Sequence, residues 1–244
     1  MEKVSVKSSL YDALGGLIYA ARKATTDPRM DADDSCVLPR ATYSPWQADS
    51  EFDYCYNKVK GYTLVDKYRL WELWTLVHGV HRQPGSYVEA GTWRGGSALI
   101  IAYAAEHGYD LWAFDTFSGI PAAECIEHTD IYRGGEHCAS SLDACQALPV
   151  PRGGQIHIIK GVFPESAPHM MVKFMHIDVD THNGTANALA WAANRMTVGG
   201  VIVVDDYGFC TTRGARLAVD EFDDSRFTKI HNLNGHAVLV KHGV

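Results

Sequence analysis

The chain has 244 residues, of which 46% are hydrophobic and 21% charged, a composition typical of a globular protein long enough to bury a core. Its 22 Lys and Arg against 29 Asp and Glu give a formal net charge of −7 without any basic run, which disfavours nucleic acid as a partner. No apolar stretch approaches the roughly 20 residues that span a bilayer, and no signal-peptide core opens the chain, so we expect a cytoplasmic protein that does not bind membranes.

The first 60 residues differ from the rest of the chain. Apolar residues at helical spacing predict one helix with a single apolar stripe, formed by Leu10, Ala13, Leu14, Leu17, Ile18 and Ala21. From Thr26 to about Lys60 the pattern is irregular and rich in Asp, Pro and Tyr, which is typical of a lid or binding loop, although packing against the domain edge would also account for it. We therefore divide the chain into an N-terminal helix and lid segment, 1–60, and a domain, 61–244.

The domain alternates helices with short apolar strands. A helix is predicted from Thr63 to Gly79, and strands at 86–91, 111–115, 156–159, 172–178 and 201–205 are separated by helical patterns. This alternation predicts an α/β fold with a mainly parallel sheet and helices on both faces. The Asn234-Gly235 pair between two further strands predicts a hairpin, so the last strand should be antiparallel.

The first strand ends in a glycine turn that begins Glu89-Ala-Gly91. The next glycine falls at position 95, so the G-x-G-x-x-G pattern of dinucleotide-binding dehydrogenases is missing. An acidic residue at this turn repels phosphate and suits an ammonium group, and Asp115 at the end of the second strand is placed to accept both hydroxyls of a ribose. These features favour S-adenosylmethionine as the ligand, with a merely tight strand-to-helix turn as the alternative.

Further carboxylates stand at the ends of the later strands. Asp178 ends one strand and Asp205-Asp206 end the next, 27 residues on, a spacing that accommodates one crossover helix. Three carboxylates at one point repel each other unless a cation is present, and their oxygens suit Mg²⁺ better than zinc. The alternative is that Asp205 or Asp206 caps a helix. Asp180 would share the face of Asp178, as a base beside the ion or as a helix cap.

Four motifs, in this order, resemble the macrocin O-methyltransferase family: Glu89-Ala-Gly-Thr-Trp-Arg-Gly-Gly-Ser97, Phe114-Asp-Thr-Phe-Ser-Gly-Ile-Pro121, Ile177-Asp-Val-Asp180 with Thr185, and Val198-Gly-Gly-Val-Ile-Val-Val-Asp-Asp-Tyr207. The resemblance runs from about Thr63 to Lys241. It implies a class I methyltransferase fold, Rossmann-like and seven-stranded, with S-adenosylmethionine as methyl donor and Mg²⁺ as the divalent ion.

Roles for individual residues follow from the same resemblance. The residues that match the metal ligands are Asp178, Asp205 and Asp206, and Asp180 matches the general base. The cofactor pocket is matched by Glu89, Gly91, Ser97 and Asp115, and Thr63 resembles the threonine that opens the preceding helix. His182 stands where the family pattern has a tyrosine; it could assist catalysis or position the acceptor, or lie solvated. The region before Gly61 matches no pattern.

We therefore predict an S-adenosylmethionine- and Mg²⁺-dependent O-methyltransferase of natural-product biosynthesis, because relatives in the family act on the sugars of macrolide and aminocoumarin antibiotics. The expected acceptor is a small-molecule glycoside or polyol, and we expect a homo-oligomer, a dimer or higher. The alternatives are a catechol-type phenolic O-methyltransferase, a dehydrogenase, and a non-catalytic protein that binds S-adenosylmethionine. The Asp205-Asp206 pair favours the sugar enzymes over the phenolic ones.

Overall fold

The computed structural model describes residues 44–243, together with positions 13, 14, 16, 17 and 20. These five positions are helical, whereas the rest of the predicted N-terminal stripe lies outside the described residues. By its internal contacts the chain divides into a unit of residues Met1–Tyr43 and a unit of residues Ser44–Val244. The helices and strands whose bounds are defined all lie in the second unit.

Six α-helices and seven strands make up this unit, besides short 3₁₀ turns. The helices are α1 (Ser50–Val59), α2 (Lys67–Gly79), α3 (Gly96–Ala104), α4 (Leu142–Gln146), α5 (His182–Ala193) and α6 (Arg213–Glu221). The strands are β1 (Ser86–Ala90), β2 (Asp110–Asp115), β3 (Gln155–Lys160), β4 (Val172–Ile177), β5 (Met196–Val204), β6 (Phe227–His231) and β7 (Ala237–Lys241). None of the helices in the described part of the chain has the length and apolar character needed to cross a membrane.

The strands form one sheet in the order β3-β2-β1-β4-β5-β7-β6. Neighbours from β3 to β5 are parallel, and β7 is antiparallel to both β5 and β6. The hairpin between β6 and β7 closes with a hydrogen bond from the Asn232 amide to the His236 carbonyl at 2.9 Å, and Gly235 supplies the positive φ of +111°. The predicted α/β class, mainly parallel sheet and reversed last strand are confirmed.

One apolar layer covers each face of the sheet. On one face α1, α2 and α3 pack against strand residues such as Tyr87 and Phe174, and on the other α5 and α6 pack against the next residues along, Val88 and Met175. Successive residues of β1 and β4 thus enter opposite layers, as the two-residue period of a strand requires. Because both faces are covered, β4 is buried along its whole length.

The end of the predicted lid segment, 1–60, is more ordered than the sequence pattern indicates. The prediction of an irregular chain up to Lys60 is wrong for residues 50–59, which form α1. Asp49 caps this helix by accepting a hydrogen bond from the Phe52 amide at 2.9 Å, and Phe52, Cys55 and Val59 form its buried face. Only three positions face the core and the other faces are polar or tyrosine-rich, so the helical period is weak in the sequence.

The start of the following helix also differs from the prediction. Helix α2 begins at Lys67 rather than at Thr63, because Asp66 is its N-cap and accepts hydrogen bonds from the amides of Tyr68 and Arg69. Thr63 belongs to the preceding turn, where its hydroxyl oxygen accepts a hydrogen bond from the Val65 amide at 3.1 Å. This turn approaches the sheet where β1 ends.

Candidate functional site

A cavity of about 300 Å³ lies at the carboxyl ends of β1 to β5, the edge at which parallel α/β sheets bind ligands. Its wall combines the turns that follow these five strands with the turn before α2 and the first part of that helix. The residues predicted from the sequence that line it are Thr63, Gly91, Ser97, Asp115, Asp178, Asp180, Asp205 and Asp206.

The turn after β1 brings backbone to the middle of the cavity. Gly91 has a φ of +89°, and a Cβ at this position would lie 1.8 Å from the carbonyl oxygen of Asp178. The Asp178 amide donates to the Ala90 carbonyl at 2.8 Å, so the ends of β1 and β4 are held together here. Only glycine permits both this conformation and this approach. Ser97, in the first turn of α3, is buried beside it.

Asp115 joins the turn after β1 to the turn after β2. Its Oδ2 accepts a hydrogen bond from the Trp93 amide at 2.7 Å, and its Oδ1 accepts one from the Phe117 amide at 2.7 Å. Burial raises the pKa of Asp115, while these two hydrogen bonds oppose that rise. The carboxylate is thereby held in one orientation at the cavity wall.

Three carboxylates at the other end of the cavity, Asp178, Asp180 and Asp206, receive no ion pair from any described cationic side chain, and we call them the open carboxylates. Burial, followed by the charges of neighbouring aspartates, raises the pKa of Asp178 and of Asp180 well above the usual range. Burial and the charge of Asp205 raise the pKa of Asp206 to about 6. Among the described residues no group donates a hydrogen bond to its buried Oδ2.

Asp205, by contrast, is compensated by the protein itself. The guanidinium of Arg69 on α2 bonds to its Oδ2, and its Oδ1 lies 2.8 Å from His236 Nε2 and 3.5 Å from His176 Nε2. Burial alone would raise the pKa of Asp205, but the nearby imidazole of His176, the hydrogen bond of His236 and the charge of Arg69 hold it far below the usual range.

The two histidines extend these contacts to two further carboxylates. His236 Nδ1 bonds to Glu72 on α2, and His176 Nδ1 lies 3.0 Å from Glu89 Oε1. Burial disfavours the charged imidazoles, yet the carboxylates of Asp205 and Glu89 raise the pKa of His176 to about 9, and those of Asp205 and Glu72 raise that of His236. We call this set, with Arg69, the Asp205 network. It pairs three acidic with three basic side chains beneath the cavity.

The register of the strands explains why these groups meet. Ile177 pairs with Val204, so Asp178 and Asp205 follow neighbouring strands at the same level, and ligand atoms of Asp178, Asp205 and Asp206 lie within 4.8 Å of one another. The predicted convergence of these three carboxylates is therefore present in the structure.

Glu89 does not reach the cavity as the sequence analysis expects. It pairs in parallel register with His176 of β4, and its side chain is wholly buried in the Asp205 network rather than on the cavity wall. Its Oε1 bonds to His176, and its Oε2 has no hydrogen-bond partner in the part of the chain that the structure describes. Because Glu89 bonds to His176 on the neighbouring strand β4, it holds a residue of the Asp205 network and does not face a ligand in the cavity.

His182 also lies away from the cavity. It is the first residue of α5, and its Nε2 lies 2.8 Å from Glu221 Oε2 on α6. Its backbone amide donates to Asp130 Oδ1 at 3.1 Å. The imidazole of His182 therefore contacts Glu221 on α6. It does not lie beside the open carboxylates.

Several site residues were missed by the sequence analysis. Arg69 and Glu72 lie on the polar side of α2, whereas the sequence analysis considered only the apolar side of this helix. In addition, Arg69 is 136 positions from its partner Asp205, so no local pattern links them. His176 lies within a fully buried strand, a signal that could have marked it. From the loop after β2, Glu124 and Tyr132 line the cavity, and the Tyr132 hydroxyl donates to Asp180 Oδ1 at 3.4 Å.

The strand order, with one reversed strand and a ligand cavity at the carboxyl ends, defines a class I methyltransferase fold. A family model described as macrocin-O-methyltransferase (TylF) matches residues 56–238. The chain therefore belongs to the macrocin O-methyltransferase family and is a methyltransferase, as its motifs predict.

Relatives named as O-methyltransferases come from Streptomyces and Micromonospora. The demethyldecarbamoylnovobiocin O-methyltransferase of Streptomyces niveus is 27% identical, over 67% of this chain and 68% of the relative. The mycinamicin III 3''-O-methyltransferase of Micromonospora griseorubida is 27% identical, over 67% of this chain and 70% of the relative. The 8-demethyl-8-(2,3-dimethoxy-alpha-L-rhamnosyl)-tetracenomycin-C 4'-O-methyltransferase of Streptomyces olivaceus is 30% identical over 54% of this chain, which spans 56% of that relative's length.

Solved structures share the fold. The O-methyltransferase NovP has a TM-score of 0.63 and 22% identity, covering 75% of this chain and 83% of its own. The calicheamicin methyltransferase CalS11 has a TM-score of 0.53 and 14% identity, covering 83% of this chain and 99% of its own.

Proposed function

We propose that this protein is an S-adenosylmethionine- and Mg²⁺-dependent O-methyltransferase that acts on a hydroxyl of a sugar or of a sugar-bearing natural product. The observation that carries the proposal is the position of the open carboxylates, which share one cavity with the glycine turn and Asp115. The names of two relatives support a sugar acceptor, since one specifies a rhamnosyl tetracenomycin and the other the 3'' position of mycinamicin III.

The cofactor half of the cavity suits a nucleoside with an amino-acid tail. The carboxylate of Asp115, held by two backbone amides, can accept hydrogen bonds from the ribose hydroxyls. Gly91 lets the tail approach the backbone, with Thr63 and Ser97 beside it. TomG, a solved structure with a TM-score of 0.51 and 13% identity that covers 80% of this chain and 91% of its own, is a complex with S-adenosylmethionine.

The residues at the other end fit a divalent cation. Asp178 and Asp206 offer carboxylate oxygens whose pKa values are raised by burial and mutual repulsion, and Asp206 Oδ2 is buried without a partner among the described residues. A cation would reduce the repulsion between these carboxylates and would give the buried Asp206 Oδ2 a partner. A ligand set made only of oxygen atoms suits Mg²⁺. Asp205 would complete the set while remaining bonded to Arg69 and His236.

The reaction transfers a methyl group from a sulfonium to an alcohol oxygen, which must lose its proton. The chemistry that Mg²⁺ supplies at such a site is Lewis acidity, which lowers the pKa of the acceptor hydroxyl. Asp180 is placed to accept the proton, because it lines the cavity and burial makes it a stronger base than an ordinary aspartate. The Tyr132 hydroxyl donates to Asp180 Oδ1 at 3.4 Å and so restricts the orientation of this carboxylate.

The test combines binding with turnover. Calorimetry should show S-adenosylhomocysteine binding at the micromolar level, on the order of −8 kcal/mol, and no saturable binding of NAD⁺. Methyl transfer should be abolished by a chelator and restored by Mg²⁺ in a screen of deoxysugar glycosides against catechols. Turnover of catechols alone would replace the sugar assignment by the phenolic one, and full activity in excess chelator would exclude the metal.

A further inference from the structure

Glu124 is a cavity residue that neither the acceptor chemistry nor the metal set uses. It ends the 3₁₀ turn Ala122–Glu124 in the loop after β2, and its side chain lines the cavity. Within residues 44–243 no hydrogen bond or ion pair reaches its carboxylate, whereas the half-buried carboxylate of Asp115 and the buried carboxylate of Asp205 have fixed donors. A half-buried carboxylate without a donor is costly unless a ligand supplies one.

The surroundings of this carboxylate can be located from contacts. A Cβ built on Gly184, in the first turn of α5, would lie 3.0 Å from Glu124 Oε2 and 3.0 Å from Val179 Cγ2. The carboxylate therefore lies close to the start of α5, where Val179 and the Thr181 hydroxyl also approach Gly184. Its neighbour in charge is Glu165, which follows β3. Burial, and then the charge of Glu165, raises the pKa of Glu124 to about 7, as expected where no cation is near.

Glu124 reaches the cavity from the loop after β2, and the nearest charge that acts on it, Glu165, follows β3. The strand order places β2 and β3 on one side of β1, and β4 and β5, which carry the metal set, on the other. A nucleoside whose ribose is held by Asp115 and whose tail reaches Gly91 must extend its base toward the turn after β3. The walls there are apolar, formed by Ile120, Val162, Phe163 and Val179, and suit a flat aromatic ring.

We propose that Glu124 accepts a hydrogen bond from the exocyclic amine of the cofactor's adenine and so selects a 6-aminopurine. The inference rests on the proposed function, since it takes S-adenosylmethionine as the ligand. The ring has apolar faces and one amino edge, and the cavity combines apolar walls with the carboxylate of Glu124, which no described donor reaches. An amine on the acceptor substrate would present the same donor chemistry, so the test must distinguish the two sources.

The experiment measures binding by calorimetry of the full chain in the absence of any acceptor. The probes are S-adenosylhomocysteine and its 6-deamino analogue, which carries hydrogen in place of the amine. Wild-type protein should prefer S-adenosylhomocysteine by roughly 10- to 100-fold, the factor that one hydrogen bond to a charged group contributes. In Glu124→Ala the preference should fall to within about 3-fold, while the deamino analogue binds as it does to wild type.

Two further variants sharpen the result. Glu124→Gln keeps an amide oxygen that can accept, so a reduced preference for the amine should remain. Glu165→Gln is the matched control, because Glu165 is an exposed neighbouring carboxylate that does not line the cavity, and its loss should leave the wild-type preference intact.

Other outcomes overturn the assignment. If Glu124→Ala weakens both probes by the same factor, the residue only supports the start of α5. If it leaves the preference unchanged but raises the KM of an amino-sugar acceptor, the amine belongs to the acceptor and the adenine assignment is wrong. If wild-type protein binds neither probe, the cofactor assignment fails and the role of Glu124 fails with it. If it binds both probes equally well, only the role of Glu124 is overturned.

Discussion

Two groups of carboxylates lie at the same edge of the sheet, and they differ in the number of protein cations that contact them. In the Asp205 network, Arg69 and His236 form hydrogen bonds with Asp205, and the imidazole of His176 lies 3.5 Å from it. The open carboxylates have no such partners among the described cations, although Asp206 is the next residue along the chain. Folding therefore compensates one group with protein side chains and leaves the other without such partners.

Because of this difference, we expect Asp205 and Asp206 to have different roles although they are adjacent in the chain. A compensated carboxylate gains its partners when the chain folds, so its loss should be felt first in stability. An uncompensated one makes folding more costly, and perturbed pKa values cluster at functional sites, so its loss should be felt first in activity or ligand binding. This division predicts four effects of decreasing size.

Asp180→Asn should lower kcat by roughly 10² to 10⁴, the usual contribution of a general base, because the amide cannot accept the proton. Binding of Mg²⁺ and of S-adenosylhomocysteine should persist. Steady-state rates over a range of Mg²⁺ concentrations provide the measurement, with the exposed Asp223→Asn as control. Rescue of Asp180→Asn by excess Mg²⁺ would make the residue a ligand instead.

Asp205→Asn should reduce the free energy of unfolding by about 3 to 5 kcal/mol, because it leaves buried positive charges without their carboxylate. Urea unfolding with Mg²⁺ absent is the measurement. Arg69→Met should also destabilise, since it removes the cation from the same pair. A variant as stable as wild type would show that the network does not hold the fold.

Asp206→Asn should have the opposite pattern. Without metal it should be at least as stable as wild type, because a repelling charge is removed from the cavity. With Mg²⁺ at about 100 times its Kd, wild type should gain about 2.7 kcal/mol, and the variant should lose most of that gain. Differential scanning calorimetry with and without Mg²⁺ measures both effects; equal gains in the two proteins would contradict a ligand role for Asp206.

The pH dependence of the metal-free protein should show the smallest effect. The pKa of Asp206 is raised from 3.8 in the unfolded chain to about 6 in the folded protein, so between these values the folded state binds more protons. The free energy of unfolding should therefore fall as pH rises from about 4 to about 6, by about 1 to 2 kcal/mol from this residue. Urea midpoints across that range, compared with Asp206→Asn, measure the contribution. The comparison fails if both proteins follow the same curve.

Much of the site was accessible from the sequence, because parallel strands end at one edge. Short apolar runs that end in Asp115, Asp178 and Asp205 predict carboxylates around one crevice, and the structure brings them there. The glycine turn at Gly91 was also predicted from the sequence. The structure explains why glycine is needed there, because φ is +89° and a Cβ would clash with the Asp178 carbonyl. Local pattern and strand polarity are sufficient for these features.

Which of these carboxylates receive protein cations was decided only by the tertiary structure. Arg69 and His236 reach Asp205 from α2 and from the turn before β7, and no local spacing indicates that meeting. The register of β1 against β4 placed Glu89 beside His176 and away from the cavity, and the packing of α5 against α6 directed His182 to Glu221. Sequence periodicity sets which residues end strands and face the core, whereas charge compensation depends on side chains that only the folded chain brings within a few ångströms.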